Sequence, residues 1–158
     1  MTHHRIERLL QDDRLEKVET SATDVVGLWE KALERWRSFQ ATELPRSVAF
    51  EVVYTAGFQL ATAVLHAEGY RARGGAGGGH HWSTFYALRG LDDAKIDAIA
   101  VTLDESRQLR HKVLYDPTGD VSEDDLHKVA DAMDGFFDLA HDRLTRLLPE
   151  IEGKIARR

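Results

Sequence analysis

Cysteine is absent from all 158 residues, which removes disulfides, thiolate metal ligands and thiol nucleophiles together and fits a reducing compartment. Proline occurs only three times, at Pro45, Pro117 and Pro149, and each stands where a helical pattern starts or stops. No run of eighteen apolar residues occurs, and the opening MTHHRIERLL carries no continuous apolar stretch ahead of a small-residue cleavage site. The expectation is a cytoplasmic chain without a membrane span. Basic charge is in deficit as well: 21 Lys and Arg face 27 Asp and Glu, for a formal charge of −6. That argues against broad electrostatic binding of nucleic acid, while a local basic patch on an acidic body stays open.

What the chain does have is helical periodicity. The expected fold is all-α, an antiparallel four- to five-helix bundle with an extra short helix after a glycine-rich loop. A single domain covers residues 1–158, with its core over 21–148 and a weaker N-terminal helix over 2–19, where Asp12 and Asp13 interrupt the apolar face. Ser21 with Asp24, and Ser122 with Asp125, have capping-box spacing. The first pair opens a stripe running through Trp29 and Trp36 to Phe39, and the second opens one from Leu126 to Leu148. Trp29, Trp36 and Trp82 are all read as core. The helix from Pro45 to Gly69 has two apolar faces and a narrow polar strip, so it is either central to the bundle or shared with a second subunit.

The residue that packing alone does not explain is Arg110. Ile96, Ile99, Leu103, Ser106, Arg110 and Val113 recur at spacings of three and four, the pattern of one buried helix face, which points the guanidinium inward. A buried cation needs a carboxylate, carbonyls or a bound anion. Arg107, Arg110, His111 and Tyr115 fall on one side of that helix, and two cations, an imidazole and a phenol together suit an anionic ligand. The alternative is structural: Arg110 pairs with a carboxylate of another helix, Glu51 being the candidate. The stretch GGAGGG from Gly74 to Gly79 lacks the Gly-Lys-Ser/Thr ending of a phosphate-binding loop and reads as a connector. Arg71 and Arg73 before it, and His80 and His81 after it, make it a basic lip. Eight histidines offer no His-Glu-x-x-His and no helical pair three or four apart, so neither metal nor cofactor is expected.

Two segments, EVVYTAGFQLATAVLHAEGYRARGGAGGGHHWSTFYAL (Glu51 to Leu88) and RQLRHKVLYD (Arg107 to Asp116), together resemble the HEPN superfamily of small helical bundles, over a region from Pro45 to Leu148. The resemblance implies a homodimer with a composite site at the dimer cleft. In active members that site cleaves RNA without metal: the ribose 2′-hydroxyl attacks phosphorus, an Arg offsets the phosphorane charge and a His moves protons. Arg110 and His111 match the Arg and its polar follower. The downstream His of the usual motif is missing, and Tyr115 stands five positions after Arg110, as in a subset of the family. Arg110, His111 and Tyr115 are thus the catalytic candidates. Arg107, the lip residues Arg71, Arg73, His80 and His81, and Tyr54 and Glu51 of the third helix are the expected ligand contacts. The function so implied is binding of RNA or a nucleotide phosphate, extending to metal-independent endoribonuclease action in a toxin-antitoxin or defence system with an antitoxin partner. The competing reading is a non-catalytic dimerising module in which Arg110 is only an ion pair.

Overall fold

Start and stop signals set the element order. In a computed structural model, residues 3–74 and 79–157 are described; the centre of the glycine-rich connector, 75–78, lies outside the described residues, and with it the middle of the expected lip. The elements are α1 (His3–Gln11), β1 (Leu15–Lys17), α2 (Ala22–Ala41), α3 (Arg46–Ala67), β2 (Tyr70–Ala72), α4 (His80–Leu88), α5 (Ala94–Tyr115), α6 (Glu123–Leu147) and a 3-10 turn at Pro149–Ile151. The fold is an all-α helical bundle, with one two-stranded ribbon added.

Side-chain capping sets the starts of α2, α5 and α6. At α6 the Ser122 hydroxyl accepts from the Asp125 amide while the Asp125 carboxylate accepts from the Ser122 amide, a reciprocal arrangement that satisfies two free amides. At α5 the Asp93 carboxylate accepts from the amides of Lys95 and Ile96. The helix stops at Tyr115 because Pro117 keeps Asp116 extended, at φ −107° and ψ 111°. The α2 start departs from the expected reciprocity. Ser21 accepts from the Asp24 amide, yet its own amide donates to Nε2 of His66, 3.2 Å away, so the start of α2 is tied to the end of α3.

The first helix ends at Gln11, well short of residue 19. Asp13 takes the left-handed conformation at φ 57°, which a short polar side chain tolerates. The turned chain becomes β1, antiparallel to β2 with Leu15 opposite Ala72. Leu15 and Ala72 are buried, so the ribbon lays one apolar edge on the bundle.

Helix α3 lies in the middle and packs against α2, α4, α5 and α6. By length and composition alone it could cross a membrane; within the bundle 61 % of its most apolar window is buried by protein. Its neighbours come close at Gly57, where an added Cβ would stand 2.6 Å from Leu103 Cδ2 and 3.1 Å from Met133 Sδ. Trp29 and Trp36 are core, the former edge-on to Phe137 at 5.5 Å and donating from its indole to the Ala156 carbonyl. Trp82 is not core: it is half-buried, stacked on Tyr86 at 5.0 Å with the Arg14 guanidinium over it. The α5 seam is buried from Ile96 to Ser106, and Arg110 then emerges at its edge, 35 % exposed, instead of pointing into the core.

Gly57→Val forces branched carbons into the α3–α5–α6 contact. The expected loss is about 1–3 kcal/mol of unfolding free energy, read by thermal or urea denaturation; unchanged stability would mean that the contact is looser than described.

Candidate functional site

Glu51, Tyr54 and Phe58 follow one another at spacings of three and four, so they share one face of α3. Against that face α5 brings Arg110 and α4 brings His81. The Arg110 Nε donates to the Glu51 carboxylate, whose oxygens lie 2.8 and 3.0 Å away. Its guanidinium carbon sits 5.6 Å from the centre of the Tyr54 ring, within cation–π range. Neither terminal nitrogen of Arg110 makes a hydrogen bond among the described residues. Arg107 is held differently, donating from Nε to Asp104 one turn earlier on its own helix, at 2.7 Å.

The structural alternative therefore has its ion pair, Arg110 with Glu51, but the pair is not sealed. Arg110 lines a cleft of about 770 Å³ between α2, α3, β2 and α4, and on its other side a cleft of about 370 Å³ formed with Ser47, Val48, Leu114 and Val121. A guanidinium fixed through Nε and open on two sides can still offer paired donors to an anion.

Tyr54 and His81 form the second half of the site. The Tyr54 oxygen is 2.6 Å from His81 Nδ1. The imidazole also stacks on Phe58, with centroids 3.8 Å apart and planes 10° apart. Burial pushes the Tyr54 phenol well above its ordinary value, an effect that the nearby Arg110 and Arg107 only partly offset, so the phenol keeps its proton. Burial first, and then the neighbouring Arg110, His80 and Arg107, pull His81 down from the ordinary imidazole value of 6.5 to about 4. The imidazole is thus neutral near pH 7. The phenol proton has no other acceptor among the described residues, so Tyr54 donates and Nδ1 accepts, which places the ring proton on Nε2.

The remaining candidates are not gathered there. His111 and Tyr115 stack on each other, with centroids 4.7 Å apart, on the outer side of α5. Tyr115 is 76 % exposed, and neither residue lines either cleft. Within one chain, then, the catalytic candidates Arg110, His111 and Tyr115 do not converge. The basic lip is largely neutralised: Arg71 pairs with Glu16 of β1, and Arg73 with Asp13 in the turn at 2.8 Å. Arg71 and His80 still line the larger cleft, and Arg73 does not. Sequence reasoning missed Phe58, Gln59 and Lys31 as lining residues; Phe58 stands four residues after Tyr54, and that spacing was the available signal. No group of three His, Asp or Glu side chains able to hold a metal occurs among the described residues. Compared with protein-family models, curated proteins and solved structures, the chain matches none.

Because folded His81 resists protonation, the unfolded chain binds more protons between pH 6.5 and about 4. Stability rises with pH across that window and falls as the solution is acidified through it. NMR titration of the His81 ring should give a midpoint near 4, and His81→Phe should flatten the pH dependence of the melting temperature there. An ordinary midpoint near 6.5 would contradict the described packing.

Proposed function

We propose that the chain is a HEPN-like homodimer that binds RNA phosphates at the Arg110 end of the bundle. The observation that carries this reading is the guanidinium itself, held by Nε on Glu51 with its terminal nitrogens uncommitted beside two clefts. Planar paired donors fixed in advance suit phosphate oxygens, and little side-chain entropy is lost when the anion arrives. The net charge of −6 confines such binding to this local patch.

A second copy completes the site in this reading. Val48, Leu114 and Tyr115 are the exposed large apolar side chains among the described residues, at 45, 59 and 76 %, and the first two line the smaller cleft beside Arg110. Apolar groups clustered at one end of a bundle favour association, and a two-fold axis there would bring two sets of Arg110, His111 and Tyr115 to one groove. In that groove His111 supplies an imidazole that moves a proton, Arg110 offsets phosphorane charge, and Tyr115 donates a hydrogen bond to a phosphate oxygen. Metal-independent cleavage through the 2′-hydroxyl is the reaction these groups would support. The resemblance of residues 45–148 to the HEPN superfamily supplies the setting, a cytoplasmic toxin-antitoxin or defence system with an antitoxin partner.

The second reading, a non-catalytic dimerising module, is favoured by the Arg110–Glu51 ion pair. Arg110→Ala separates the two. The pair is about one-third exposed, so its removal should cost no more than about 1 kcal/mol of stability, while RNA affinity should fall about tenfold or more. The purified protein, incubated with total RNA in chelator, should leave 2′,3′-cyclic phosphate ends that the variant does not. RNA binding absent in both proteins would leave the interaction module standing.

A further inference from the structure

The larger cleft extends well past Arg110, and phosphate contact at that residue uses only its rim. Its volume of about 770 Å³ is that of a site for an organic ligand, within the roughly 300–1,000 Å³ such pockets span. One wall carries the stacked rings of Phe58 and His81. Thr55, Gln59 and Thr62 of α3 add short polar groups along the same side.

His81 is the group whose state needs explaining. Nδ1 is spent on Tyr54, which turns Nε2 away from the buried phenol; Nε2 has no hydrogen-bond partner among the described residues, and the ring lines the cleft. The result is a single, oriented N–H donor without charge. A phosphate site would be served better by imidazolium, and here burial, with Arg110, His80 and Arg107, opposes it. An uncharged, oriented donor beside aromatic side chains instead suits the acceptor edge of a neutral heteroaromatic ring. Tyr54 links the two ends: its ring centre is 5.6 Å from the Arg110 guanidinium carbon and 5.7 Å from the His81 ring centre, so both can meet one ligand of nucleotide size.

We propose that this cleft receives the base of the nucleotide whose phosphate meets Arg110, with His81 Nε2–H donating to an acceptor on the base edge. The base subsite presupposes the phosphate contact proposed above and adds to it a residue that reads the ligand's ring. Tyr54 is a positioning residue: it fixes the imidazole tautomer and does not touch the ligand.

Uridine 5′-monophosphate and ribose 5-phosphate share a sugar phosphate and differ by the base, so their dissociation constants, measured by calorimetry on the whole chain, test the subsite. The nucleotide should bind about tenfold more tightly, the size of one hydrogen bond from a fixed donor. Its addition should also shift the His81 Nε2 resonance in ¹⁵N-detected NMR, which ribose 5-phosphate should leave in place. Tyr54→Phe combined with His81→Phe removes both polar partners without orphaning either, so the fold should persist, as circular dichroism would show. In that double variant the preference for the nucleotide should vanish. Equal affinity of the two probes for the unaltered chain, with Arg110→Ala weakening both, would overturn the base subsite and leave the phosphate reading intact. Binding of neither probe would overturn both.

Discussion

Helix α3 is enclosed by α2, α4, α5 and α6, and this enclosure is the constraint from which the site follows. A helix buried on so many sides cannot leave polar groups unsatisfied. Glu51 and Tyr54 lie on its first half, and each takes its partner from a different neighbour: Arg110 of α5 and His81 of α4. Gly57 lets α5 approach closely one turn further on. Close packing thus sets where the two chemistry-bearing side chains arrive, and their hydrogen bonds to α3 set how they are oriented.

Orientation matters more than the strength of either contact. The Arg110–Glu51 pair is about one-third exposed and adds little to stability, yet it holds a guanidinium by one nitrogen and leaves two others presentable. The Tyr54–His81 bond is more sheltered and selects one tautomer of a neutral ring. Oriented donors, a guanidinium and an imidazole, stand at the edge of a single cleft. Such an arrangement limits the reorganisation that a ligand would otherwise have to impose.

Much of the architecture was legible in the chain because its signals are local. Ser122 with Asp125, Asp93, and Pro117 each act within four residues, and the elements begin and end where they direct. The Leu15–Lys17 strand was not legible, since its partner lies beyond α3 and its pairing depends on the left-handed turn at Asp13. His66 displaced half of the capping box expected at Ser21 for the same reason, arriving from a distant helix end. At the site, the 3.6-residue period put Arg110 on the apolar seam but did not reveal that the seam runs out after Ser106. Glu51 was recognisable as its partner by charge. The Tyr54–His81–Phe58 cluster was not, because α4 follows a glycine-rich connector whose course the sequence does not encode in any period. Tyr115 and His111 were placed together correctly, although as an outward pair and not as part of the cleft.

The central claim is that the α3–α4–α5 end receives a phosphate-bearing ligand. Chemical-shift mapping with a short single-stranded RNA made non-cleavable by 2′-O-methylation tests it most directly. The account predicts that the Arg110 Nε–H resonance and the ring signals of His81 and His111 shift together, with the amides of α1 and of the second half of α6 unaffected. Shifts confined to other surfaces, or none at RNA concentrations that saturate ordinary single-strand binders, would contradict it.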